Sequence, residues 1–159
     1  MAEAQATTLA WTWTRFEGLG LQGLYQALAL RAEVFVVEQR CAYQDVDGLD
    51  PQSWHLLGHD AAGRLMAYLR VVDPGLKYDE PSIGRVVTAP QARGTGAGQA
   101  LMREGLARCQ AAWPGRAVRI SAQAHLQRFY GALGFEPVGD TYLEDDIPHI
   151  EMLCPAPHR

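Results

Sequence analysis

In the first half of the chain, hydrophobic positions recur at the spacing of a β-strand in some segments and of an α-helix in another. Leu9, Trp11 and Trp13 alternate with threonines, which predicts a first strand. Segments 55–60 and 64–72 predict a hairpin about 61–63, and the β-branched run 83–89, stopped by Pro90, predicts another strand. A helix that reaches Glu38 is predicted between the first strand and the hairpin. Its apolar stripe comprises Leu21, Leu24, Tyr25, Leu28, Ala32 and Phe35.

The second half of the chain continues the alternation of helices and strands. A helix after residue 98 is predicted to end at Pro114-Gly115, and 116–123 alternates as a strand. A short helix over 125–133 ends at Gly134, a strand follows from Phe135, and 148–154 is the last strand. The predicted order is β, α, β, β, β, α, β, α, β, β, an α/β fold.

The loop between the strand 83–89 and the second helix has the sequence R-G-T-G-A-G, residues 93–98. Glycines at alternate positions allow close backbone approach to an anion, and the helix that follows adds the positive end of its dipole. The loop lacks the Gly-Lys-Ser/Thr of nucleotide hydrolases and the G-x-G-x-x-G spacing of dinucleotide folds. It therefore predicts a pyrophosphate site formed by Arg93, Gly94, Thr95, Gly96, Ala97 and Gly98.

Two motifs in order resemble the GNAT superfamily of acyl-CoA N-acyltransferases. Arg93, Gly96 and Gly98 fill the acetyl-CoA loop pattern Arg/Gln-x-x-Gly-x-Gly/Ala. The later F-Y-x-x-x-G-F element is matched by Phe129, Tyr130, Gly134 and Phe135. The stretches 31–50, W-H-L-L-G from Trp54, Y-L-R-V-V from Tyr68 and I-P-H-I-E-M from Ile147 are similar to the ElaA-type branch of that superfamily.

The resemblance implies a mixed, mostly antiparallel sheet with helices on both faces and a splay between two central strands for pantetheine. Acetyl-CoA is the implied cosubstrate, and no metal is expected. Backbone groups of Val86, Val87 and Thr88 would contact pantetheine and the acyl oxygen. Gln123 stands where many members have Asn, and Phe129 completes the cofactor-binding set.

Tyr130 matches the general acid that protonates the departing thiolate, although its apolar neighbours also fit a core tyrosine. The strand before the loop carries Arg85 where several members have a carboxylate base, so a base must come from elsewhere or a water chain must serve. Glu38, His55 and His125 are the candidates, with Glu38 preferred. Arg70 and Arg85 either pair with acidic loops or recognise a substrate carboxylate.

Composition favours one cytoplasmic domain over residues 1–159. The chain is 48% hydrophobic with a net charge of −4, which argues against nucleic-acid binding. The N-terminal residues lack the basic and apolar regions of a leader, and no membrane partner is expected. Three cysteines without metal-ligand spacing predict reduced thiols, and a monomer and a homodimer both stay open.

Acidic residues suggest a cationic acceptor. We expect an acceptor pocket between 35–43 and 142–149, with an anionic rim that attracts an amine of a small molecule or peptide. The predicted function is acetyl transfer to a primary amine by direct attack in a ternary complex. The alternative is a non-catalytic acyl-CoA-binding or regulatory module. The spacing of Asp45, Asp47 and Asp50 does not fit an EF-hand. A solvated loop is the alternative account of each charge in the rim, which comprises Asp45, Asp47, Asp50, Glu144, Asp145 and Asp146.

Overall fold

The computed structural model describes residues 8–157, which form a seven-stranded sheet and its covering helices. The strands are β1 (Ala10–Arg15), β2 (Ser53–His59), β3 (Leu65–Val72), β4 (Ser82–Thr88), β5 (Val118–Gln123), β6 (Glu136–Glu144) and β7 (Ile147–Cys154). The helices are α1 (Gly20–Arg31), which continues as a π-helical segment Ala32–Glu38, α2 (Ala97–Ala112) and α3 (Gln127–Ala132). Single 3₁₀ turns cover Phe16–Leu19, Asp50–Gln52, Pro90–Ala92 and Ala124–Leu126. This confirms the predicted order of elements.

The sheet order is β1-β2-β3-β4-β5-β7-β6, and its neighbouring strands are antiparallel except for the parallel pair β4 and β5. That parallel pair shares a single register position, Ser82 with Arg119. The amide of Arg119 also donates to the carbonyl of Pro81, at 3.0 Å. Beyond this point the two strands separate, which is the splay that the fold prediction requires.

Helices cover both faces of the sheet and bury two apolar clusters. On one face, α1 and its π-helical extension pack Ala27, Leu30 and Val34 against the sheet residues Leu57 and Tyr68. On the other face, α2 and α3 close the larger cluster. Its buried helical members are Leu101, Met102, Leu106, Cys109 and Tyr130, which follow the predicted spacing.

The predicted apolar stripe of α1 is wrong. Leu21 is 90% exposed and Tyr25 is 77% exposed, whereas the buried face consists of Ala27, Leu30, Arg31 and Val34. These positions also follow helical spacing, but the stripe contains a buried arginine and a small alanine. A pattern search that counts only large apolar residues therefore selects the wrong face.

No helix within residues 8–157 is long and apolar enough to cross a membrane.

Candidate acyl-CoA cleft

The separation of β4 and β5 opens a cleft of about 670 Å³, within the size range of small-molecule sites. The β4 wall consists of residues 83–88, and the β5 wall contributes Ser121 and Gln123. Val34 and Phe35 close one side from the helix, and Glu144 and His149 close the other. The cleft thus joins the two segments between which the acceptor pocket was expected.

A bulge interrupts β4 in the middle of this wall. Tyr68 pairs with Val87 and Arg70 with Gly84, so two β4 residues, Arg85 and Val86, face the single β3 residue Leu69. Arg85 has a φ of 51°, which a non-glycine residue adopts only when its surroundings hold it there. On the other edge of β4, β5 has moved away. Backbone groups of Val86, Val87 and Thr88 can therefore turn towards a ligand in the cleft, as the prediction for these residues requires.

The glycine loop follows β4 directly and leads into α2. Gly94 and Gly96 have φ angles of 78° and 83°, a left-handed conformation that favours glycine, and nothing lies within 4 Å of a Cβ placed on either. Gly96 is the N-cap residue of α2, and no side chain caps the first turn of the helix. The Thr95 hydroxyl donates to the carbonyl of Ala92, at 2.5 Å. The first turn of this long helix can therefore receive an anion.

Two contacts join the end of the π-helical segment to the walls of the cleft. Arg93 donates to Glu38, with 2.6 Å between Nη2 and Oε1, and both side chains are nearly half exposed. Gln123 donates to Gln39, with 3.2 Å between Nε2 and Oε1. The predicted phosphate ligand Arg93 and the predicted base Glu38 thus contact each other. Arg93 and Gln123 line the cleft, whereas Glu38 lies beside the loop, so its position does not support its predicted role as base, and that role stays untested.

Tyr130 lies in the core beside the predicted cofactor residue Phe129. Its ring makes edge contacts with Phe129 and Phe135, with centroids 5.1 Å and 5.9 Å away. Phe129 in turn lies under the glycine loop, 3.7 Å from a Cβ placed on Gly98. Burial raises the pKa of Tyr130 to about 12, so the phenol keeps its proton at physiological pH. Tyr130 belongs to the core cluster and is not among the residues that line the cleft, so its position favours the core tyrosine, and the acid role stays an untested prediction.

The predicted anionic rim is wrong for the first three aspartates, because arginines neutralise them. Arg31, 1% exposed, binds Asp45 at 2.9 Å and Asp50 at 2.8 Å. Arg70, 2% exposed, binds Asp50 at 3.0 Å and binds Asp47 through both terminal nitrogens. We call this set of residues, together with Arg85, the ion network.

Arg85 connects the ion network to the cleft wall. Its Nε lies 2.8 Å from Asp45 Oδ1, an ion pair without hydrogen-bond geometry, and its Nη2 donates to the carbonyl of Asp45 at 3.0 Å. The guanidinium also lies over the ring of Tyr43, 5.4 Å from its centroid. Of the two predicted roles of Arg70 and Arg85, the structure therefore shows the ion pairs with the acidic loop.

The network shifts the pKa values of its carboxylates. Burial would raise the pKa of Asp47, but the hydrogen bond and the charge of Arg70 hold it well below its usual range. The pKa of Asp50 is lowered in the same way by Arg31 and Arg70, against the effect of burial. These aspartates stay ionised and paired, and therefore add little attraction for an amine.

The other two candidate bases, His55 and His125, lie in different surroundings. The His55 ring is buried, with Nδ1 2.7 Å from the Tyr68 hydroxyl and Nε2 2.9 Å from the carbonyl of Asp50. Burial lowers the pKa of His55, and both ring nitrogens are occupied, so its role is structural. His125 is exposed and lines the cleft beside Leu126.

A polar cluster on β5, β6 and β7 has no counterpart among the predicted site residues. Ser121 and Tyr142 share a hydrogen bond, and the Tyr142 ring stacks on His149 with centroids 6.2 Å apart. His149 is 8% exposed, and its Nε2 lies 3.3 Å from Glu144. The signal for His149 was present, because it alternates with the core residues Ile150 and Met152 as a strand residue on the opposite face.

Nothing in the described part of the chain gathers three or more potential metal ligands, and the three cysteines are free. The reduced thiols match the prediction.

The β4–β5 splay is continuous with a glycine loop at a helix N-terminus, the arrangement that the resemblance to acyl-CoA-dependent transferases implies. A family model described as the acetyltransferase (GNAT) domain matches residues 22–155. A UPF0039 protein of Synechocystis is 46% identical over 147 residues, covering 92% of this chain and 96% of the relative.

Two solved structures extend the comparison. An acyl-CoA N-acyltransferase of Pseudomonas aeruginosa is 49% identical, with a TM-score of 0.87 over 91% of this chain and 98% of that one. Escherichia coli ElaA is 41% identical, with a TM-score of 0.85 and the same coverage. The chain therefore belongs to the GNAT acetyltransferase family, and it is an enzyme that transfers acyl groups from acyl-CoA.

Proposed function

We propose that this protein transfers an acetyl group from acetyl-CoA to a primary amine by direct attack in a ternary complex. The observation that carries the proposal is the cleft between β4 and β5, which runs from the glycine loop past the β4 bulge to Glu144 and His149. A pyrophosphate at the start of α2 would leave an extended pantetheine along β4. The thioester would then lie near the bulge, and an amine would approach from the far end.

The residues divide the chemistry between them. Backbone donors of the β4 bulge polarise the thioester carbonyl, as expected for Val86 and Val87. The amine nitrogen attacks the carbonyl carbon, the carbon–sulfur bond breaks, and the thiolate accepts the proton of Tyr130. The attacking nitrogen must also lose a proton, so a base is needed at the acceptor end.

The acceptor end favours a cationic substrate, although fewer acidic side chains contribute to this than the sequence suggested. Glu144 and Asp145 line the cleft, and Glu144 is nearly half exposed. Because Asp45, Asp47 and Asp50 are paired with arginines, the attraction for an amine comes from the β6–β7 turn. A small amine and the amine of a peptide both fit this chemistry.

The test is a panel of primary amines with acetyl-CoA, in which free thiol and the mass of the acetylated product are both measured. A product with one acetyl group per CoA released supports the proposal. Tight acetyl-CoA binding without transfer to any amine would favour the binding module instead.

Intact-mass measurement after incubation with acetyl-CoA alone tests direct attack. Cys41 lines the cleft, and an acetylated Cys41 that forms with acetyl-CoA alone and disappears at the rate of turnover once the amine is added would contradict the ternary complex. We expect the protein mass to stay unchanged.

A further inference from the structure

We propose that His149 is the base that accepts the proton of the attacking amine, with Glu144 as its partner. This inference rests on the proposed function. His149 lies outside both sequence motifs, the glycine loop and the element that contains Tyr130.

The position of His149 follows from the strand pattern. On β7, Ile150 and Met152 point into the core beneath α2 and α3, so His149 points to the opposite face. It is opposite Gln123 on β5 and opposite Tyr142 on β6. Ser121, Gln123 and His149 all line the cleft. The imidazole therefore lies on the cleft wall beyond the splay, where the acceptor would approach.

The hydrogen bonds of the ring fix which nitrogen can accept a proton. His149 Nδ1 lies 2.7 Å from the carbonyl oxygen of Ile147, which can only accept, so Nδ1 carries a hydrogen. In the neutral ring, Nε2 then holds a lone pair. Glu144 Oε2 is 3.3 Å from Nε2 and would stabilise the imidazolium formed when Nε2 accepts a proton.

The surroundings hold the ring in this orientation. The Tyr142 ring stacks on it at an interplanar angle of 30°, and the Tyr142 hydroxyl is bonded to Ser121. The carboxylate of Glu144 is more exposed than the imidazole, so it can pass the proton on to solvent. Asp47 and Arg85 line the cleft but are paired within the ion network, and Arg93 is paired with Glu38. The other ionisable groups that share the cleft or the stack with His149 are Cys41, Tyr43, Lys77, His125, Tyr142, Glu144 and Asp145.

The proton balance is complete with these groups. An amine that arrives as the ammonium ion first loses one proton to solvent, because only the neutral nitrogen has a lone pair for attack. The neutral nitrogen then forms a bond to the acyl carbon and gives a second proton to Nε2 of His149. The sulfur leaves with the electron pair of the carbon–sulfur bond and accepts a proton from Tyr130. The imidazolium then releases its proton through Glu144 to water, and Tyr130 regains one.

His149→Asn is the most direct test, because the asparagine amide can replace Nδ1 as the donor to Ile147 but offers no basic nitrogen. We expect unchanged acetyl-CoA affinity by calorimetry and turnover about 100-fold slower with the amine found in the panel. The pH profile of the wild-type rate should contain a limb that is absent in the variant, because the variant has no side-chain base at this position. His59→Gln is the matched control and should retain full activity. His59 lies on β2 and shares a hydrogen bond with Gln26.

Glu144→Gln gives a second measurement in case His149→Asn fails to fold. It should slow turnover about 10-fold and displace the same limb of the pH profile, since the imidazolium loses its carboxylate partner. A folded His149→Asn protein with wild-type turnover, or an unmoved limb in Glu144→Gln, would overturn the inference while leaving acetyl transfer intact. Failure of the wild type to acetylate any amine would contradict both proposals.

Discussion

The two ends of the cleft are built in different ways. The phosphate end is local, because residues 93–98 and the first turn of α2 form it from one contiguous stretch. The acceptor end is assembled from distant parts of the chain: the ion network joins α1, the loop after it, β3 and β4, and His149 comes from β7. A site formed by one short stretch can be predicted from its sequence motif. A site assembled from distant parts of the chain cannot, because its charge depends on which distant side chains pair in the fold.

The largest effect is expected in the ion network. Arg31→Met keeps the length of the side chain but leaves the buried ion network one positive charge short, with Asp45 paired only with Arg85 and Asp50 only with Arg70, which should cost about 3–5 kcal/mol of the free energy of unfolding. Urea unfolding measures this, and Arg108→Met, in an exposed helical pair with Glu104, should change the midpoint little. Equal effects of the two variants would show that the network does not hold the acceptor end.

The next largest effect concerns the phenol beside the glycine loop. Tyr130→Phe removes a proton donor but little packing volume, so turnover should fall about 100-fold with acetyl-CoA affinity almost unchanged. Kinetics with a verified acceptor, alongside calorimetry, measure the two quantities separately. Unchanged turnover would identify Tyr130 as a core tyrosine.

A pH experiment sharpens the contrast between the two ends. The pKa values of Asp47 and Asp50 are lower in the folded protein than in the unfolded chain, so the unfolded chain binds protons first as the pH falls. The stabilisation is present above about pH 4, the ordinary range of an aspartate, and is lost below it. Asp47→Asn should cost about 2 kcal/mol at pH 7 and should flatten the acid side of the stability curve.

The wild type and Asp47→Asn should therefore approach each other in stability as the pH is lowered. Urea unfolding at several pH values between neutral and acidic measures the difference directly. A constant difference at all pH values would mean that Asp47 stabilises the fold by packing and not by its charge.

At the phosphate end, the expected effect falls on ligand affinity. Gly96→Val places a β-branched residue at a φ of 83° and crowds the approach of a pyrophosphate, so acetyl-CoA should bind about 10-fold more weakly. Gly63→Val is the matched control, because Gly63 has a φ of 80° and equally open surroundings in the β2–β3 hairpin. The same loss of affinity in both variants would indicate a general effect of strain.

The same contrast explains how far the sequence could be interpreted. The order of elements, the glycine loop and the buried face of α2 follow from periodicity and turn chemistry within short stretches. The face of α1 could not be predicted in this way, because Arg31 is buried only through Asp45 and Asp50. The rim of aspartates was misread for the same reason. The strand pattern places His149 on the face opposite the core, but its contact with Glu144 across the β6–β7 turn could not be predicted from periodicity.

The smallest effect is expected at the contact between the two predicted residues Glu38 and Arg93. An exposed ion pair contributes at most about 1 kcal/mol, so releasing Arg93 for a phosphate gains little. Glu38→Gln should therefore tighten acetyl-CoA binding about 2-fold to 3-fold, and calorimetry at low salt is the measurement. The gain should shrink as salt is added, because both side chains are solvated. Turnover with the amine should stay close to that of the wild type, since the carboxylate lies beside the phosphate loop. Turnover slowed about 100-fold without a change in affinity would instead make Glu38 the base, and His149 would then have no part in removing the proton.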